Sequence, residues 1–108
     1  MLEDKIYTLE EMRSLGIDTH EYVFMDQPGE ATGTLMLKAE SRTPSIRLFF
    51  SLSDGRNILT PVFWWQLGRG FQNIPTGTVL KLTYVQNSTG QIHLENAVPV
   101  QTASVAFS

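Results

Sequence analysis

Between residues 46 and 64 the chain alternates apolar and polar residues in two runs, one on each side of an Asp-Gly pair. Ile46, Leu48, Phe50 and Leu52 interleave with Arg47, Phe49, Ser51 and Ser53, and a second run covers residues 57–64 after Asp54-Gly55. Successive side chains of a strand point to opposite faces, so a period of two describes a half-buried strand and does not fit a helix face. Asp-Gly between two such runs favours the primed two-residue turn of a β-hairpin. The runs are therefore expected to be antiparallel neighbours. Pro61 cannot donate a ladder hydrogen bond, which places it at an edge or a bulge.

Other segments follow the same rules. Residues 34–39 read as a first strand with Leu35, Leu37 and Ala39 on one face, followed by the polar loop Ser41-Arg42-Thr43-Pro44. Residues 65–73 contain Gly68 and Gly70 and read as a turn or short helix. After the tight turn Pro75-Thr76-Gly77, residues 78–85 form a fourth strand with Leu80, Leu82 and Tyr84 inward. Asn87-Ser88-Thr89-Gly90 then turns the chain into a fifth strand over residues 91–96. Before all of these lies a short helix: Thr8 and Glu11 have the spacing of a capping box, and Leu9, Met12 and Leu15 give one apolar stripe. Gly16 is placed as its left-handed terminator, with Ile17 as the apolar contact. Tyr22-Val23-Phe24-Met25 is expected to pair with or pack on the strands, before the break at Gln27-Pro28-Gly29.

Strand, hairpin, helical connection, hairpin is an all-β order that resembles the five-stranded Greek-key barrel of the oligonucleotide/oligosaccharide-binding (OB) fold. The likeness covers residues 31–98 and includes the layout from Gly77 to Val98, with no motif of a particular family within the fold. An SH3-like barrel or a small sandwich fits the same order. The chain divides into an acidic N-terminal helix and strand extension (1–30), the barrel (31–98) and a tail (99–108). In such barrels ligands lie across strands two and three, flanked by the loops after strands one and four.

Charge sharpens that expectation. The net charge is −3, but residues 1–30 hold two cations and eight acids, a net −6, and the remainder holds six cations and three acids, a net +3. A mildly basic barrel behind an acidic helix suits an anionic ligand better than the total suggests. Arg47 and Phe49 alternate outward from strand two, and among adjacent Phe63, Trp64 and Trp65 at least one ring must leave the core. With Arg56 at the hairpin, and Lys38 and Lys81 on neighbouring strands, Arg47, Phe49, Phe63 and Trp65 make a candidate groove for single-stranded DNA or RNA. There, bases stack on rings and cations meet phosphates. The competing reading is a protein-interaction or assembly module on the same barrel, of the kind a phage, plasmid or multi-subunit complex uses, with Trp, Phe and Arg as anchors. Homo-oligomerisation suits such a face as well.

Catalysis finds little support. There is no cysteine. His20 and His93 lack companions at ligand spacing, and His93 alternates outward as a surface residue. Gly68-Arg69-Gly70 is not followed by the Gly-Lys-Ser/Thr of a phosphate loop. Neither an enzyme, a cofactor nor a metal site is expected, and with no apolar run near the ~20 residues of a membrane span, a cytoplasmic location is.

Overall fold

The computed structural model describes residues 3–42 and 45–100. Thr43 and Pro44 of the expected polar loop, and the tail from residue 101, lie outside the described residues. The elements run β1 (Ile6–Tyr7), α1 (Leu9–Ser14), β2 (Val23–Phe24), β3 (Gly29–Glu40), β4 (Ile46–Leu52), β5 (Asn57–Val62), β6 (Val79–Gln86) and β7 (Ile92–Pro99). Two 3₁₀ helices, Trp64–Arg69 and Phe71–Asn73, connect β5 to β6.

Both expected hairpins form, and they close alike. Leu52 N–H donates to Arg56 O (2.8 Å) and Gly55 N–H to Leu52 O (3.0 Å); Asn87 and Gly90 repeat this with Gln91 O (2.9 Å) and Asn87 O (3.0 Å). Each loop thus has three residues and ends on a left-handed glycine, Gly55 at φ +94° and Gly90 at +88°. The primed turn expected at Asp54-Gly55 needs positive φ at both residues, and no described non-glycine residue has it. The loop is one residue longer instead.

The strands form one mixed sheet in the order β2-β5-β4-β3-β6-β7, with β1 parallel to β3. β3 is the spine: Gly29–Thr34 pairs with β6, and Gly33–Glu40 pairs with β4 on the other edge. The fold is β-rich as expected, but seven strands take part and no ladder among the described residues joins β5 to β7, so the sheet is not closed. Inside its curve sit Leu35, Leu48, Phe50, Leu80, Leu82 and Leu94, each with no measurable exposure.

A bulge in β3 builds a second core. Leu35 pairs with Phe50 and Leu37 with Phe49, so Met36 is the extra residue. An extra residue reverses the alternation beyond it. Leu35 therefore joins the inner core while Leu37 and Ala39, expected on the same face, point out with Phe49. Tyr7 and Met12 close over them, both buried. The N-terminal segment is thus a lid of packed side chains over the outer face of β4.

Local chemistry holds α1 in place. Glu11 N–H donates to Thr8 Oγ1 (3.0 Å) and Thr8 N–H to Glu11 Oε1 (2.9 Å), the reciprocal capping box. At the other end Gly16 takes φ +65°, and Ile17 N–H donates to Met12 O (3.1 Å). The helix has already ended at Ser14, so Leu15, expected in the apolar stripe, is 59% exposed. Thr8→Ala removes the cap acceptor and is expected to cost about 1 kcal/mol, read as a lowered urea midpoint. An unchanged midpoint would mean that the cap is redundant with the packing of Met12.

Candidate binding surface

The seven residues expected to bind a ligand fall in four places. Arg47 and Phe49 belong to the covered outer face, whereas Lys38, paired with inner Leu48, lies on the other side of the sheet. Phe49 was expected on an open face, yet it is fully buried, with Tyr22 edge-on at 5.0 Å. The Arg47 guanidinium lies 5.5 Å from the Phe49 ring and donates to Glu40 O at 3.2 Å and 3.3 Å. Lys38 was expected as a phosphate cation but is 5% exposed. Its ammonium donates to Gln72 O (3.3 Å) and Ile74 O (2.9 Å) and pairs with Asp4 Oδ1 (3.1 Å). Asp4 also accepts from Thr76 N–H (3.0 Å), and these contacts, the Thr76 amide first and the Lys38 ammonium next, hold its carboxyl below the usual range. Lys38 fastens the N-terminal segment to the connection before β6.

Arg56 and Lys81 come together at the tip of the first hairpin. They line a surface cavity of about 390 Å³ with Glu30, Thr32, Ser53 and Asp54. Each has a partner there: Arg56 Nε lies 2.9 Å from Asp54 Oδ2 and Lys81 Nζ 3.3 Å from Glu30 Oε1. The two cations thus bring two carboxylates with them, which blunts any field a phosphate would feel. Among the described residues, Lys5, Lys38, Arg56, Arg69 and Lys81 all sit in such ion pairs.

Phe63 and Trp65 lie at the opposite end of β5. The second run was expected to continue as strand to Trp64, but β5 stops at Val62 and the chain turns into a 3₁₀ helix. Buried Gln66 makes this turn rigid: its Oε1 accepts from Phe63 N–H (3.2 Å) and its Nε2 donates to Leu94 O (2.7 Å). One side chain therefore ties the aromatic segment to β7. Phe63 and Trp65 stack with centroids 5.8 Å apart and planes 4° from parallel. Trp65 meets His93 edge-on at 5.2 Å. His93 does lie on the outer side of β7, but this indole covers it, so the expected surface residue is buried. Its Nδ1 has no partner among the described residues, while Nε2 lies 3.4 Å from Glu95 Oε1.

Trp64, absent from the expected set, is the most exposed of these rings at 75%; Trp65 is 48% exposed. Next to the ridge, Phe24, Met25, Pro61, Gln91 and Ile92 line an apolar groove of about 280 Å³ where β2 and β5 face β7. At the ridge Arg69 also pairs with Glu95, 3.6 Å apart. No group of three or more His, Asp or Glu positioned for a metal ion occurs among the described residues. No described helix is long and apolar enough to cross a membrane.

No protein-family model, curated protein or solved structure matches this chain.

Proposed function

We propose that the chain is a non-catalytic binding module, that β3 to β7 are the five strands of an OB-type Greek-key barrel, and that the ligand is another protein held on the Phe63-Trp64-Trp65 ridge. The barrel reading is supported by the long β3 shared between β4 and β6 and by the helical link between β5 and β6. One observation carries the binding reading: both tryptophans of the chain face solvent on a segment that buried Gln66 locks in place. Exposed, preorganised Trp is the usual anchor of a protein interface, since little rotamer freedom remains to be lost on docking.

The covered outer face favours the ridge over a ligand lying across β4 and β5. Lifting the N-terminal segment re-exposes Tyr7, Met12, Leu37 and Phe49, at about 1.5–3 kcal/mol each. Uncovering them presents one ring, Phe49, worth ~1–3 kcal/mol to a stacked base. The lid wins. Single-stranded nucleic acid stays as a second reading at the ridge itself, because the bare face of Trp64 suits base stacking.

The test compares the folded protein with a Trp64→Ala/Trp65→Ala variant as baits for cross-linking in cell extract. A partner protein is expected with the first and not with the second. Recovery that ignores the substitutions would sink the ridge as the working surface. A parallel titration of tryptophan emission with oligothymidine is expected to give no quenching; quenching that fades with salt would favour the nucleic-acid reading.

A further inference from the structure

We propose that the segment docked on this ridge is an extended, proline-rich peptide in the polyproline II conformation, an inference that rests on the protein-binding reading above. The first argument is what the gap beside the ridge forbids. β7 is an edge strand, and β2 covers the outer side of β5 only at Ile58 and Leu59, so the rest of β5 would ordinarily invite an added strand. Here Pro61 takes a donor from the β5 edge, and its ring nitrogen must face away from β4 because the ladder continues past Arg47 opposite it. On the β7 edge the Gln66 amide already occupies Leu94 O. A strand inserted between them would meet a missing donor at Pro61 and an occupied acceptor at Leu94. A ligand that binds through side-chain faces meets no such obstacle.

Hydrogen-bonding character is the second argument. An indole offers one donor and no acceptor, and neither Trp64 nor Trp65 donates to a described residue. Polyproline II leaves its carbonyls free and has no internal hydrogen bonds, and proline adds no N–H of its own. Donor-only surface and acceptor-only chain are complements.

Charge is the third. Arg69 and Glu95 neutralise one another, so this pair leaves neither a spare cation for a phosphate nor a spare anion for a basic peptide. An uncharged apolar chain is its electrostatic match. Flat rings held parallel, as in the Phe63–Trp65 stack, suit pyrrolidine faces, and the neighbouring groove at Phe24 and Pro61 continues the apolar track. Polyproline II is also stiff before binding, which lowers the ordering cost of docking.

The test follows the two indole N–H cross-peaks of the ¹⁵N-labelled full chain while decaproline is added, with a Gly-Ser decapeptide and oligothymidine as comparators. Decaproline is expected to shift both peaks saturably, and the Gly-Ser peptide to leave them in place. Trp64→Phe, which keeps a ring but loses the donor, is expected to weaken binding about five-fold. Trp64→Ala is expected to weaken it more than ten-fold; the residue is solvent-exposed, so both variants keep the fold. Unmoved indole peaks, equal shifts with Gly-Ser, or a salt-sensitive response to oligothymidine in place of decaproline would each overturn the proposal. If decaproline fails while the double-alanine variant loses a captured partner, only the polyproline inference falls. If both fail, the protein-binding reading falls with it.

Discussion

Replacing Phe49 by alanine is expected to cost about 3–5 kcal/mol of unfolding free energy, the range for emptying a buried aromatic site. The ring is fully buried between the sheet and the N-terminal segment, with Tyr7, Met12, Leu37 and Ala39 around it and Tyr22 against its face. The cavity would open under α1, so loss of the ring should also loosen the segment it anchors. Urea unfolding measures the first effect, and hydrogen exchange of the Met12 and Ile17 amides the second. These amides are held by Thr8 O and Met12 O, and their protection should fall further than that of the β6 amides. The same substitution separates two pictures of this face. A ring kept exposed to stack on a ligand would lose little stability on truncation, so a cost under about 1 kcal/mol, as surface substitutions give, would restore the open groove.

That substitution lies where sequence patterning stops being informative. Alternation along residues 46–52 correctly divides Ile46, Leu48, Phe50 and Leu52 from Arg47, Phe49 and Ser51. It says which residues leave the inner face, and nothing about whether a second layer waits outside. The clue was present in the apolar character of Phe49 itself, and in the stripe of Leu9 and Met12, which needs an apolar surface to pack on. Met36 was harder to foresee. A bulge leaves no mark in a run such as Leu35-Met36-Leu37-Lys38-Ala39, yet it moves Leu37 and Ala39 to the other face and brings Lys38 to the carbonyls of Gln72 and Ile74.

The ridge was half legible. Three adjacent aromatic residues cannot all point inward, which places at least one outside the core. Which one depends on where β5 ends, and that is set by Gln66, a polar residue whose partner Leu94 lies 28 positions away. Similarly, His93 follows its strand parity outward, and only the tertiary fold brings Trp65 over it. Contacts made across such separations have no local period to betray them.

Tyr84 supplies the sharpest pH dependence. Its ring is buried in the inner core and its hydroxyl lies 2.6 Å from Thr60 Oγ1. Burial pushes its pKa from 10.0 up to about 12, against a smaller opposing pull from the Thr60 hydroxyl and the Arg56 charge. The folded state therefore keeps a proton that the unfolded chain releases from about pH 10. Stability from this group is fully present below pH 10 and is lost as pH climbs towards 12, by about 2–3 kcal/mol in all. Burial raises the Tyr22 pKa as well, and the Lys5 pKa is raised by its bond to Glu11, so the wild-type curve alone does not isolate Tyr84. Tyr84→Phe does. At neutral pH the variant should be weaker by about 1 kcal/mol, because the buried Thr60 hydroxyl loses its partner. Above pH 10 its stability should fall less steeply than that of the wild type, so the gap closes and then reverses. Urea unfolding at intervals from pH 7 to pH 11.5 reads both curves. If they stay parallel, the Tyr84 hydroxyl ionises as readily in the folded protein as in the unfolded chain, and its burial beneath β5 is not what the fold depends on.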